Sequence, residues 1–310
     1  MPKSAIDRVD NRLERCEWAM RFMNDPDQSL APIRLGCAGW SYKEWIGPLY
    51  DPDKSMLQQY SSIFDTVEMD STFYKFPEKG TILGLTRYTP RRFLFTAKMN
   101  KKFTHELKLK LDERARTDLD SFCELFDPLL AQDKLAVMLI QLPPSVKRND
   151  DVLEGFLASL PRRYNYSIEF RHPSWLESST WNILTKYKVA YCIVDEPLLP
   201  PEVHVTSDIG YIRWHGRGDR LWYDYRYTPE QLTDWLPKVE QVRANTKQVF
   251  GVFNNHFRGY APENCIQMMK MLGIADDKRE AALKRIKNHI EGTDATATQE
   301  EVTLNHFTES

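Results

Sequence analysis

From Ile33 onward the chain alternates short apolar runs with stretches whose apolar residues recur every three or four positions. The short runs are Ile33–Trp40, Thr66–Phe73, Phe93–Met99, Leu135–Leu142, Tyr166–His172, Val189–Asp195, Gly210–Gly216 and Gln248–Asn255, each with the length and boundaries of a strand. Between them, helical spacing covers Ser55–Phe64, Glu78–Tyr88, Asp118–Ala131, Asp150–Leu160, Ser179–Tyr187, Pro229–Arg243 and Pro262–Leu272. Strand then helix, repeated, is the signature of parallel βα units, because parallel neighbours need a long crossover to return the chain to the same end of the sheet. Eight such strands predict an α/β fold, a closed (β/α)8 barrel of the TIM type. The proline-rich link from Glu196 to Ile209 is the connection expected to lack a full helix.

A second signal lies in the phase within each run. Side chains alternate sides along a strand. The stretch from Tyr166 to Trp175 therefore puts Ser167, Glu169 and Arg171 on one side and Ile168 and Phe170 on the other. Pro173 holds His172 away from helical angles, ending the strand where its polar residues gather. The same alternation sets Glu68 and Asp70 against Val67 and Met69, and Thr96 and Lys98 against Phe95 and Ala97. It sets Gln141 against Ile140, Arg213 and His215 against Ile212 and Trp214, and Asn254 against Phe253. In a barrel the apolar sides face the outer helices, and the polar sides form a ring at the strand C-termini, where barrel active sites are built. An ion-pair network that only fills the barrel is the plainer alternative. Buried pairs bring little net stability, so a functional ring is favoured over it.

The flanks have a different texture. Residues 1–31 predict an N-terminal helical extension, with Ile6, Val9, Leu13, Cys16, Met20 and Met23 near helical spacing until Asp25-Pro26 breaks it. The polar C-terminal tail, residues 275–310, is expected to hold an exposed helix over Arg279 to Ile290 and to be disordered elsewhere, which leaves 32–274 as the barrel domain. The whole chain, 310 residues and 42% hydrophobic, is long enough for such a barrel, which typically needs about 250. Its 42 basic and 44 acidic residues give a net charge of −2, so no global field recruits nucleic acid or membrane, and any basic site is local. The five cysteines, Cys16, Cys37, Cys123, Cys192 and Cys265, are scattered and odd in number, which fits a reducing cytosol better than a disulfide framework or zinc cluster. With no long apolar run and no signal peptide, the chain reads as cytoplasmic, without a membrane partner. The pattern specifies no oligomeric state.

The ring suggests chemistry. Lys98, Arg171, Arg213 and Arg217 supply permanent positive charge suited to phosphate or carboxylate. Glu68, Glu169 and His215 are the candidate catalytic residues, Glu169 and His215 exchanging protons while Glu68 orients or assists. Trp40, Tyr42 and Trp45 follow the first strand, Tyr74 the second, and Trp222, Tyr223, Tyr225 and Tyr227 the seventh. About half of these rings are expected to roof the barrel, Trp40 and Trp45 foremost; others can stack on bases or sugars. Trp40, Tyr42, Tyr74, Tyr223 and Tyr225, with Asp70, Gln141, His172, Asn254, Asn255 and His256, complete the substrate-binding set. The expected partner is a small anionic substrate or nucleic acid, and no cofactor is expected. A divalent metal held by some of Glu68, Glu169, His172, Asp195, His215 and His256 is an alternative, disfavoured by the cations in the same ring. A Glu68/Glu169 glycoside hydrolase and a non-catalytic nucleic-acid binding module are the others. No Gly-rich phosphate loop or Ser-centred nucleophile elbow is present.

Several segments in order carry a family resemblance. They are Gly36-Cys-Ala-Gly-Trp-Ser-Tyr-Lys-Glu-Trp-Ile-Gly-Pro-Leu-Tyr50, Phe64-Asp-Thr-Val-Glu-Met-Asp-Ser-Thr-Phe-Tyr74, Gln141-Leu-Pro-Pro144, Glu169-Phe-Arg-His172, Arg213-Trp-His-Gly216 and Phe253-Asn-Asn-His256. Together they resemble the motifs of the Domain of Unknown Function 72 family, the YecE-like proteins, from about Ile33 to Gly273. The resemblance implies a TIM-type barrel and brings no established reaction. A likeness to endonuclease IV-type barrels suggests nucleic acid, by analogy only. Met69-Asp70 departs from the family's commoner Ile or Val followed by Asn, and both terminal extensions lie outside the family core.

Overall fold

Eight parallel strands pair in chain order and close on themselves: β1 Ile33–Ala38, β2 Thr66–Met69, β3 Leu94–Lys98, β4 Leu135–Gln141, β5 Tyr166–Glu169, β6 Ala190–Asp195, β7 Ile209–Trp214 and β8 Gln248–Phe253. The structure, a computed structural model, describes residues 30–308, with side chains to residue 292. The helix expected over residues 1–31 thus lies essentially outside the described residues. The connections carry α1 Met56–Ser61, α2 Ser71–Tyr74, α3 Lys79–Arg87, α4 Glu113–Glu124, α5 Asp127–Leu130, α6 Asp150–Ser159, α7 Ser178–Tyr187, α8 Pro229–Thr233, α9 Leu236–Ala244, α10 Tyr260–Met271 and α11 Asp277–Thr308. This is the predicted (β/α)8 barrel. No helix lies between Asp195 and Ile209, as the prolines there suggested. Among the described residues, no helix is long and apolar enough to cross a membrane.

Local chemistry sets the boundaries. Asp112 caps α4 by accepting from the Ala115 amide at 2.7 Å, and Asn149 caps α6 by accepting from Val152 at 3.0 Å. Thr228 and Gln231 form a reciprocal capping box on α8. The helix read over Asp118–Ala131 therefore starts earlier, at Glu113, and Pro128 opens the separate α5. Likewise Pro229–Arg243 is two helices, with Pro229 and Pro237 each in a first turn, where proline costs no hydrogen bond. The run Thr66–Phe73 is strand only to Met69. Asp70 turns to helical angles, and the Thr72 hydroxyl reaches the Met69 and Lys98 carbonyls at 2.8 and 2.7 Å, tying α2 under the end of β3. The β5 strand ends at Glu169, three residues before its predicted limit.

The apolar phase of the strands packs outward as expected. Trp214 stacks on Phe253 at 4.5 Å and meets Trp235, just ahead of α9, edge-on at 5.4 Å. The helix anticipated over Arg279 to Ile290 lies within α11, and one face of it is buried where an exposed helix was expected. Leu283, Ile286 and Ile290, spaced as one helical stripe, are buried. Arg279 adds an ion pair to Asp65 at 2.6 Å and a bond to the Ile63 carbonyl at 2.8 Å, while Arg285 reaches the Gly47 carbonyl at 2.9 Å.

Candidate functional site

The polar phase of the strands converges inside the barrel on Arg213 of β7, which is fully buried. Its Nη2 donates to Glu68 of β2 at 2.5 Å and its Nη1 to Glu169 of β5 at 2.6 Å, a bridge across the barrel interior. Glu68 also accepts from the Tyr211 hydroxyl at 2.8 Å, and that hydroxyl lies 2.8 Å from the Thr96 hydroxyl. Glu169 accepts from Arg171 Nε at 2.5 Å and from Gln141, its neighbour in register on β4, at 2.7 Å. Burial alone would push the Glu169 carboxyl up, yet Arg171 and Arg213 together hold it well below the usual carboxylate range. Glu68 has a single guanidinium partner, and burial pushes its carboxyl upward against the pull of Arg213. Both terminal nitrogens of Arg213 are committed to protein carboxylates, so its role here is to fix them. Removing it would leave two buried acids unpaired, a class of change that costs about 3–5 kcal/mol.

Arg171 sits one layer nearer the mouth and is more loosely held. Its Nη2 is 3.0 Å from His215 Nε2, its Nη1 is 3.5 Å from Glu196, and its guanidinium lies 5.5 Å from the Trp222 ring centroid. A guanidinium only donates, so Nε2 of His215 accepts from Arg171, and Nδ1 lies 2.9 Å from the Asn254 side-chain nitrogen. Burial, reinforced by Arg171, pushes the His215 pKa down to about 3. His215 is therefore neutral at ordinary pH and serves as an acceptor for Arg171. Lys98, at the end of β3, has only a long contact to Asp70 at 3.6 Å and a place 4.4 Å over the Phe73 ring. Burial lowers its pKa.

Glu196 is the site residue that the sequence reading missed. Burial pushes its carboxyl up to about 7, with Arg171 opposing the rise. The Leu198 and Leu199 amides temper that rise, and Oε1 is buried without a hydrogen bond of good geometry. A signal existed, since the alternation Cys192, Val194, Glu196 points inward, but the residue falls one position past the β6 run. The acid visible in that run, Asp195, takes the other side. It pairs with Arg217 through two 2.9 Å bonds and accepts from Trp235 Nε1 at 2.8 Å.

The remaining predicted residues divide. Tyr223 lies 6.2 Å from His215 and 5.8 Å from His256, and His256 stacks on Tyr42 at 4.6 Å, so these three rings stand together beside the mouth. Trp40 is half-buried and its carbonyl accepts from Tyr50. Arg217 is turned to Asp195, and Tyr74 is 71% exposed, so neither joins the ring. The Tyr225 hydroxyl accepts from Gln231, and Asn255 donates to the Tyr225 carbonyl and to Asn264, which makes both loop supports. The His172 Nδ1 accepts from the Ser174 amide at 3.1 Å, within its own turn. The six side chains considered as metal ligands are thus not assembled, and among the described residues no three His, Cys, Asp or Glu side chains are placed to hold a metal ion.

The family model described as "Protein of unknown function DUF72" matches residues 34–288. The UPF0759 protein YunF of Bacillus subtilis is 27% identical over 274 residues, covering 78% of this chain and 95% of that protein. The UPF0759 protein YecE of Escherichia coli is 28% identical over 144 residues, 46% of this chain and 50% of that protein. A crystal structure of a DUF72 family protein from Thermotoga maritima matches with a TM-score of 0.71 at 31% identity, covering 78% of this chain and 99% of that one. One from Enterococcus faecalis, at 24% identity and a TM-score of 0.70 over 79% of this chain and 97% of that one, shares the fold. The chain therefore belongs to the DUF72 family of proteins of unknown function.

Proposed function

We propose that the mouth of the barrel binds a small phosphate- or carboxylate-bearing anion and moves a proton on it. The observation that carries this reading is the pair of carboxylates flanking Arg171. Glu169 is held ionised, while Glu196, on the other side of the same guanidinium, has its pKa pushed up to about 7. Two acids with environments that push them apart mark an acid–base site, and a pKa near neutrality suits a group that gives and takes a proton. The roles differ from the simplest reading of the ring. Glu169 is an anion fixed by Arg171 and Arg213, Glu68 is held by the same Arg213, His215 is a neutral acceptor that orients Arg171, and Glu196 carries the mobile proton.

The ligand-facing cations are Lys98 and Arg171, because their contacts to Asp70 and Glu196 are the long ones, at 3.6 and 3.5 Å. An anion arriving at Arg171 displaces the partial charge of Glu196 and favours its protonated form, so binding takes up a proton near neutral pH. Trp222 and Tyr223 can then close over the ligand from the loop after β7, shielding it from water.

The test is a thermal-unfolding and calorimetric screen of inorganic phosphate, small phosphomonoesters, small carboxylates, neutral sugars, divalent metals and short oligonucleotides. A ligand bound by the folded state alone at about 100 times its Kd adds about 2.7 kcal/mol of stability. Stabilisation by small anions is expected, lost in Lys98→Met. Its decline across pH 7 should disappear in Glu196→Gln. Stabilisation by neutral sugars or metals alone, or anion binding indifferent to both substitutions, would sink the reading.

A further inference from the structure

Outside the barrel ring, the loops following β3, β4 and β5 line a half-open cavity of about 250 Å³, roughly the liquid volume of eight waters. Four cations line it: Lys108 and Lys110 from the first loop, Lys147 and Arg148 from the second. Nearby basic residues are already neutralised, Lys101 by Glu106, Lys102 by Asp118 and Arg148 by Asp150. Lys108, Lys110 and Lys147 pair with no carboxylate among the described residues. Like charges gathered without counter-ions repel one another, so the arrangement gains most from an anion placed between them.

The walls are set in advance. Lys108 and Leu109 are consecutive non-glycine residues in the left-handed region, with φ of 50° and 67°, a costly conformation that turns the chain so that Lys108 and Lys110 both line the cavity. The Arg148 amide donates to Ser174 Oγ at 2.9 Å, and Trp175 Nε1 donates to the Val146 carbonyl at 2.9 Å, so the second and third loops are locked together. Val146 and Trp175 are buried and give the floor an apolar lining. A rim of cations over an apolar floor in a preformed cavity matches a small organic anion, whose charged end is held by the lysines and whose body leaves water.

We propose that this cavity is a second binding site, separate from the barrel mouth, for the phosphate group of a small phosphomonoester with an apolar or aromatic body. The small volume favours a small molecule over a nucleic-acid strand, which needs a long track. Lys108 and Lys147, from different loops, grip the phosphate oxygens, and Lys110 adds to the field.

The experiment is titration calorimetry with phenyl phosphate, inorganic phosphate, the neutral benzyl alcohol and a short single-stranded oligonucleotide. It is run in the Lys98→Met background, which removes any binding at the mouth, and in the same background with Lys108→Ala and Lys147→Ala. Unchanged melting temperatures show that the surface lysine substitutions leave the fold intact. Saturable binding of phenyl phosphate, tighter than inorganic phosphate and absent for benzyl alcohol, is expected. The lysine substitutions should weaken it at least about tenfold, the scale of one lost charge-assisted hydrogen bond. The proposal is overturned if phenyl phosphate fails to saturate up to about 10 mM, or if its affinity is the same with both lysines removed. It is also overturned if only the oligonucleotide binds, with the steep salt dependence of a strand-binding surface. Loss of the mouth site alone leaves this binding in place, so the two readings fail separately.

Discussion

His215 and Glu196 flank the same guanidinium and are displaced in ways that oppose each other as pH changes. His215 has a folded pKa of about 3 against an ordinary 6.5, so the unfolded chain binds a proton that the folded chain refuses, and stability is lost as pH falls from 6.5 toward 3. Glu196 has a folded pKa of about 7 against an ordinary 4.5, so the folded chain keeps a proton that the unfolded chain has released, and stability is lost as pH rises from 4.5 toward 7. Between pH 4.5 and 6.5 the two slopes cancel. Glu169, held below its ordinary value, contributes its own loss only on further acidification. Glu196→Gln is therefore expected to unmask a stability that rises with pH across this window, approaching about 1.4 kcal/mol per pH unit, and His215→Gln a stability that falls. Urea denaturation at a series of pH values measures both. If each variant tracks the wild-type slope, the assignment of the mobile proton to Glu196 and of the neutral ring to His215 is wrong.

At the level of the element, the loop after β7 depends on one backbone position. Gly216 has a φ of +92°, and an added Cβ would lie 2.0 Å from the Trp222 carbonyl oxygen, so this loop folds back against bare backbone. Its amide also donates to the buried Tyr227 hydroxyl at 2.9 Å, which ties the turn to the far end of the loop. Gly216→Ala is expected to cost about 1–3 kcal/mol and to lift Trp222 and Tyr223 from the mouth, seen as faster proteolysis between Arg217 and Arg226. Unchanged cleavage would mean that the cover is held elsewhere. The residues that converge on Arg213 were legible because period two alone assigns Glu68, Glu169, Arg171 and His215 to one side. That rule names a side and never a partner. It could not tell that both terminal nitrogens of Arg213 are taken by carboxylates, that Arg217 turns to Asp195, or that Asn255 braces the Tyr225 loop. It also stops where the strand stops, which hid Glu196, and Thr72 shows why ends are hard to read: its hydroxyl ties to a carbonyl of β3, 26 residues away, and so closes β2 early.

For the molecule as a whole, the barrel is covered by a helix whose composition reads as exposed. The tail is rich in Lys, Glu and Asp, so the stripe of Leu283, Ile286 and Ile290 within α11 is diluted below notice, yet these side chains are buried. The added Cβ at Gly259, ahead of α10, would meet Ile286 at 3.7 Å, which places the stripe against the turn between β8 and α10. Arg279 and Arg285 pin the same helix to the segments before β2 and after β1. The region from β1 to α1 and the exit of β8 thus share one cover, and His256 and Tyr42, which stack beside the mouth, belong to those segments. If α11 is part of the core, Ile286→Ala leaves a cavity and costs about 2–4 kcal/mol in a single cooperative urea transition. Arg285→Ala, which removes a 45% exposed side chain from its pair with Asp51, should cost under about 1 kcal/mol. An Ile286→Ala cost as small as that of Arg285→Ala, or a separate early transition for the C-terminal helix, would show that the barrel closes without it. The mouth would then owe its shape to the βα loops alone.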